Sequence, residues 1–358
     1  MLITMVSGSD YSQPLLPPQA GLKVAFEHGF TGWRTSYCLA MSPDPHRPLI
    51  ITAPELLARG YSRRAREHAE RTGHLFRVRH GVYALASELP AGPDKAEAML
   101  EMRSRAAARH ISTGTVMSHT SALVLHGLPA HDLDTRRVTT TRHRPGSGSR
   151  RGESTICHNL DLADAVMDVD GIPVTNPART IVDVARTSSF TGAVCAADEA
   201  LRRGLCSPAD LAVELAGAAG RVGISRARAV VAFADEGAHS VFESVSRVTI
   251  SRAGLPMPQL QREFILSDGS STFVDMYWKE WNLIGEADGS GKYGIDDGEV
   301  EVRHKLRKEK KRQNDLESLG NIFRRWQWED YRRNKIVPTI REAMRIQESL
   351  GRGPGHAA

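Results

Sequence analysis

Between residues 52 and 85 the apolar spacing changes from helical to alternating. Thr52-Ala-Pro-Glu55 reads as a capping box, with Thr52 and Glu55 bonding each other's backbone and Pro54 tolerated in the first turn. Leu56 and Leu57 supply a short apolar face, and Gly60 ends the helix in the left-handed conformation. Ser62 then caps a second helix from Arg63 to Thr72, which Gly73 stops. Two β-rich runs come next, Leu75-Phe-Arg-Val-Arg79 and Val82-Tyr-Ala-Leu85, on either side of His80-Gly81. They predict a hairpin. Helix, tight turn, helix and hairpin predict a winged helix-turn-helix over 45–90.

Farther along, Val116 to Pro129 predicts a helix capped at Ser118 and stopped by Gly127. Arg136–Thr141 and Ser154–Cys157 are β-rich and flank a Gly- and Ser-rich turn at Pro145–Ser149 with basic edges. Val174–Ala185 predicts a strand end entering a helix, with Asn176 and Pro177 suited to its start. Phe190–Leu255 is Ala-rich and is expected to be a helical connector.

The last third alternates again. Ser240-Val-Phe-Glu-Ser244 places Glu243 on a helix, and strands are expected at Gln259–Leu266, Thr272–Trp278 and Trp281–Gly289. Asp275 falls near one strand end, while Glu286 and Asp288 share one face of the next. Carboxylates on adjacent strands supply the hard oxygen ligands that a divalent cation needs. A plain strand running into a solvated Asp-Gly turn explains Glu286 and Asp288 alone, but leaves Glu243 and Asp275 unexplained.

Charge sharpens this picture. The chain has a net charge of +5 over 358 residues, yet Arg59–His80 holds seven Arg against two Glu. A second run, Arg303–Asp315, holds seven Lys or Arg against two acids. Two such clusters suggest two surfaces facing a polyanion, the alternative being solvated helix faces. In the first, Arg63, Arg64, Arg66 and Arg71 lie on the second helix, and Arg77, Arg79 and His80 on the hairpin. Glu67 and Glu70 stand four residues after Arg63 and Arg66, which would leave Arg64, Arg71, Arg77, Arg79 and His80 as the better contacts. In the second, Lys305, Lys308 and Arg312 form a stripe at helical spacing.

Four cysteines, none in C-x-x-C spacing, argue against a disulfide framework and a structural zinc and point to a reducing cytoplasm. No apolar run approaches the roughly 18 residues of a membrane span. Residues 1–44 have no periodicity and are expected to be a disordered leader or an over-long start, with the working protein beginning near Met41. Three other chemistries fail on context. Ser118, His119 and His126 lack a nucleophile elbow. Asp168-Val-Asp170 lacks the upstream Gly-Ser turn of a nucleotidyltransferase. Gly289-Ser-Gly-Lys292 lacks the first Gly and final Ser or Thr of a P-loop, having Glu286 and Tyr293 there.

The run Leu56–Arg64 with Leu75–Tyr83 resembles the N-terminal domain of AbiEi-type antitoxins, and the segment after it, to about residue 235, is similar to the part C-terminal to the winged helix in those proteins. The resemblance implies a DNA-binding repressor of a type IV toxin–antitoxin system, with a cognate toxin as partner. Residues 236–345 resemble a Vsr-like branch of the PD-(D/E)xK nuclease superfamily: a helix Glu, Val274-Asp275, then Glu286-Ala-Asp-Gly289, then the helix Glu309–Gly320 and the strand Asn321–Trp326. That resemblance implies that Asp275 and Glu286 would hold Mg²⁺, that Glu243 would support the metal or its water, and that Lys292 would stabilise the developing phosphate charge. The family's lysine position is filled by Asp288, so Lys292 must reach in from a loop or the site has no lysine.

The expected fold class is therefore α+β and multidomain. It joins an N-terminal winged helix-turn-helix to an α/β and helical middle (91–235), a C-terminal PD-(D/E)xK-like α/β domain and a tail from 346. Three functions are compatible with it: a regulator or antitoxin that binds double-stranded DNA, a Mg²⁺-dependent DNA endonuclease guided by its winged helix, or an antitoxin whose middle domain grips a toxin.

Overall fold

The computed structural model describes residues 50–92, 94–144, 148–162, 164–289 and 299–354. Lys292 lies outside these residues, as do the expected leader and the start near Met41.

The N-terminal module runs β1 (Ile50–Thr52), α1 (Ala53–Ala58), α2 (Arg63–Arg71), β2 (Leu75–Arg79) and β3 (Val82–Leu85). The capping box forms: Thr52 Oγ1 accepts from the Glu55 amide at 3.3 Å and a Glu55 oxygen accepts from the Thr52 amide at 2.5 Å. Ser62 Oγ likewise accepts from the Ala65 amide at the start of α2. The strands make an antiparallel sheet in the order β1-β3-β2. β1 was not anticipated, because three residues carry no period of their own. Ile51, Leu56, Ala69, Leu75 and Tyr83 form the small core. Regular alternation would aim Arg77 and Arg79 at one face of β2, but the register shifts between them: Arg77 pairs with Tyr83 and Arg79 with Val82, so an extra residue interrupts the alternation.

Helix α3 (Lys95–Ala108) packs on β2 and carries the chain onward, and Arg109 at its end bonds Glu55 at 3.2 Å. Beyond it come β4 (Thr115–Met117), α4 (His119–Leu125), β5 (Val138–His143), β6 (Ser149–Arg151), β7 (Thr155–Leu160), β8 (Val166–Val169) and β9 (Ile172–Thr175). They form one sheet ordered β6-β7-β5-β4-β9-β8, with β5–β7 and β4–β9 parallel. Then come α5 (Pro177–Thr187), α6 (Phe190–Arg202), α7 (Pro208–Gly217) and α8 (Ile224–Phe233). The expected connector is thus corrected. Helix α6 is a core element, with Ala193, Val194, Ala196, Ala197 and Ala200 wholly buried; small side chains let neighbouring helices approach closely.

Helix α5 is buried along most of its length, so its charges must pair inside the protein. Asp183 takes Arg179 Nε at 2.7 Å on one oxygen and Arg186 Nη1 at 2.9 Å on the other. Arg186 Nε continues to the Val222 carbonyl, and a Cβ on the next residue, Gly223, would stand 2.1 Å from the Arg186 carbonyl oxygen. Only glycine fits that approach. Nearby, Ser118 stands at the N-cap position just before α4, but its side chain makes no capping hydrogen bond. Its Oγ accepts from Thr141 Oγ1 at 2.8 Å and meets His119 Nδ1 at 3.0 Å. The His119 ring stacks on His158 at 4.1 Å, and burial pushes its pKa down to about 3, so it is neutral.

The C-terminal part runs α9 (Val241–Arg252), β10 (Gln259–Ile265), β11 (Ser271–Trp278), β12 (Leu283–Asp288), α10 (Glu299–Ser318), β13 (Ile322–Gln327), α11 (Trp328–Arg332) and α12 (Ile336–Ser349). Its sheet is ordered β10-β11-β12-β13: an antiparallel meander, then β13 parallel to β12 after the α10 crossover. Trp278, Trp326, Phe242, Met276 and Ile340 fill its core. Gly285 keeps the two indoles in place, since a Cβ there would stand 2.5 Å from Trp326. The tail expected from 346 is shorter than anticipated: Gln347 is buried and Arg352 donates to the Gly320 carbonyl at 2.7 Å. Among the described residues no helix is long and apolar enough to cross a membrane.

Candidate functional site

The acidic constellation gathers around β12. Asp275 sits on β11 just beyond the last register pair, Met276 with Gly285, and its carboxylate accepts from the Ala287 amide at 3.0 Å. The side chain thereby continues the ladder where the backbone pairing ends. Glu286 points into the layer between β12 and α10 and is 5% exposed. Arg312 of α10 donates to its Oε1, and Arg325 Nε donates to its Oε2 at 2.9 Å. Arg325 stands opposite Glu286 in the parallel register of β12 and β13. Glu309, one turn before Arg312, accepts from both guanidiniums.

Two carboxylates and two guanidiniums thus close into one charge-balanced network. Burial works against the charge of Arg312, but the hydrogen bonds and charges of Glu309 and Glu286 outweigh it and raise its pKa. Burial likewise opposes ionisation of Glu309, and Arg312 and Arg325 hold its carboxyl below the usual range. Asp288, at the end of β12, adds to the field at Arg325.

The expected metal ligands do not fit a divalent cation as they stand. Both oxygens of Glu286 are held by guanidiniums and Asp275 is engaged by a backbone amide. Among the described residues no three His, Cys, Asp or Glu side chains gather into a metal-binding group. Glu243 is buried in the first turn of α9. Its carboxylate accepts from the His239 amide at 2.9 Å and from Gln261 Nε2 at 3.3 Å, which ties α9 to β10.

Helix α10 lies beside this cluster through Arg312 and Glu309. Of the expected stripe, Lys308 is exposed, Arg312 turns inward to Glu286, and Lys305 lies on α10. Lys311 reaches across to Asp268 at 2.8 Å.

The N-terminal basic face differs. Arg64 and Arg71 are exposed on α2, and Arg77 is exposed on β2 with its guanidinium 2.8 Å from His80 Nδ1. Arg79 is half-buried. Arg63 pairs with Glu67 at 2.9 Å, as the four-residue spacing anticipated. The matching Arg66–Glu70 pair is absent from the ion pairs of the described residues; the Arg66 guanidinium instead lies 6.0 Å from the Tyr83 ring centre with Nε buried and unpartnered. Sequence reasoning missed Glu309 and Arg325, because only the β12–β13 register brings Arg325 to Glu286.

Residues 113–233 match the family of the AbiEi antitoxin C-terminal domain, a span that opens just before β4 and closes with α8. The chain is also similar to two uncharacterized proteins of Mycobacterium tuberculosis, MT2308 of strain CDC 1551 / Oshkosh and Rv2248 of strain ATCC 25618 / H37Rv. Each is 32% identical over 217 residues, covering 60% of this chain and 74% of the relative. The chain belongs to the family of these mycobacterial proteins, and its middle is an AbiEi antitoxin C-terminal domain. The AbiEi domain therefore comprises the six-stranded sheet with α4 to α8, including the buried Arg179–Asp183–Arg186 triad. This domain supports an antitoxin role in a toxin–antitoxin system.

Proposed function

We propose that the chain is a cytoplasmic antitoxin-type regulator that binds double-stranded DNA through its N-terminal module. The observation that carries this reading is an AbiEi domain preceded by two short capped helices and a hairpin, with Arg64, Arg71 and Arg77 exposed on them. In the winged-helix reading, α2 enters the major groove and Arg64, Arg71, Arg77, Arg79 and His80 meet phosphates and base edges. Arg63 and Arg66 contribute less, one being paired with Glu67 and the other drawn over Tyr83. The AbiEi domain supplies the surface for a cognate toxin. Titrating fluorescent duplex from upstream of the gene across a salt series tests the DNA reading. Alanine at Arg64, Arg71, Arg77 and Arg79 together should flatten the salt dependence by up to about four units, at roughly 0.9 per phosphate contact. Unchanged affinity refutes it.

A second reading, a Mg²⁺-dependent endonuclease using Asp275, Glu286, Asp288 and Lys292, is favoured by the order helix, three strands, helix, strand from α9 to β13. The guanidiniums on Glu286 weigh against turnover and for a scaffold that binds DNA or a partner. Plasmid nicking in Mg²⁺ that disappears in Glu286→Ala and Lys292→Ala would establish the second reading.

A further inference from the structure

The two edges of the six-stranded sheet are built differently. β6 closes one edge with Arg150 and Arg151, both exposed. Charges of this kind keep an edge strand from pairing with another chain, as do prolines and bulges. β8 closes the other edge with no lysine, arginine, proline or bulge. It reads Val166-Met-Asp-Val169, and Val166 and Met167 are exposed apolar side chains. Its one charged side chain, Asp168, accepts from the Gly171 amide at 2.8 Å.

The hairpin turn fixes which backbone groups of β8 are open. Asp170 and Gly171 join β8 to β9 with φ of 55° and 78°. In a two-residue turn of this kind the flanking residues, here Val169 and Ile172, exchange both hydrogen bonds. Bonded and non-bonded pairs then alternate, so Met167 bonds Val174 of β9, while the N–H and C=O of Val166 and Asp168 face outward. Among the described residues these outward groups have no backbone partner.

We propose that β8 pairs with β8 of a second copy of this chain, antiparallel across a two-fold axis centred on Met167. The charges select that register. Centred on Val166 or Val169, the pairing would set Asp168 against Asp164 or Asp170 of the second copy; centred on Asp168, it would set that carboxylate against its own copy. Centred on Met167, it sets Asp168 opposite Val166, so that the outward groups of both residues exchange hydrogen bonds, and it brings the two thioethers together. Pairing over a four-residue strand buries less than a standard interface, so association is expected at about 1–100 µM. The inference does not depend on the DNA-binding reading, but a dimer presents two N-terminal modules, which suits a target with two half-sites.

The test follows the full chain by sedimentation from about 1 to about 200 µM, where a monomer–dimer equilibrium is expected. Met167→Lys opposes two ammonium groups across the axis and should weaken association about tenfold or more. Met167→Cys, oxidised with diamide, should form a disulfide-linked dimer beyond any formed by the parent chain, because side chains facing each other in a non-hydrogen-bonded pair lie close enough to bridge. Val166→Cys should not, since Asp168 and not its own copy stands opposite. The cysteine variants decide the matter if Met167→Lys melts early. A parent chain that stays monomeric throughout overturns the inference. So does a dimer that tolerates Met167→Lys, or one that crosslinks through Val166→Cys as readily as through Met167→Cys.

Discussion

Helices α2 and α10 are both rich in arginine at helical spacing, yet they use it in opposite ways. On α2, Arg64 and Arg71 stand in solvent, with only the exposed Arg63–Glu67 pair along the helix. On α10, Arg312 turns inward to a carboxylate that is almost wholly buried and shares Glu309 with Arg325 of β13. Helix α5 goes further still, with Arg179 and Arg186 closed around Asp183 in the core. A guanidinium in solvent keeps its charge available to a polyanion. One spent on a buried carboxylate neutralises a charge that would otherwise be costly, and its removal strands that charge.

The sharpest break of this comparison is at α5. Asp183→Asn leaves two buried guanidiniums without their counter-charge and should cost about 3–5 kcal/mol, read by urea denaturation. Burial opposes the Asp183 charge, but Arg179 and Arg186 hold its carboxyl below the usual range. A carboxyl lowered in this way stabilises the fold above its unfolded pKa of about 3.9, and the gain is lost as pH falls below that toward the folded value. The asparagine variant should therefore show a flatter stability profile than the parent below about pH 4. An α5 triad that contributes nothing would leave both profiles superimposed.

Arg312→Ala should cost less, about 2–3 kcal/mol, because Glu286 keeps Arg325. A cost as large as that at Asp183 would mean that Arg325 does not hold Glu286 alone.

The metal prediction turns on the same residue. Millimolar Mn²⁺ should leave the melting temperature of the parent chain unchanged. In Arg312→Ala, the freed Glu286 oxygen beside Asp275 should admit the ion and stabilise the fold by about 1 kcal/mol, a rise of a few degrees. A clear Mn²⁺ shift in the parent chain would show that a cation displaces the guanidiniums and would revive the nuclease reading.

The smallest effect is expected on α2. Glu67→Gln removes an acid from an exposed pair, so the melting temperature should not move. Duplex binding should tighten slightly, because Arg63 is released for phosphate. Weaker binding would place Glu67 itself in the contact.

Legibility tracked locality. The capping box at Thr52, the Ser62 cap and the Gly81 turn were readable because each interaction spans a few residues. The C-terminal strands were readable because alternation is a property of one segment. Strand β1 was not, being too short to show a period, and α6 was mistaken for a connector because a helix of small residues looks alike whether it packs in a core or links domains.

By itself, then, the sequence determined the order of elements from α1 to β3 and from α9 to β12, the capped ends of α1 and α2, and the acids that fall on β11 and β12. Only the tertiary structure decided which charges are spent. Glu286 meets Arg325 through strand register and Arg312 through the α10 crossover, 39 and 26 positions away. Whether such a carboxylate faces solvent, a cation or a guanidinium depends on the neighbour packed against it, and no local pattern encodes that neighbour.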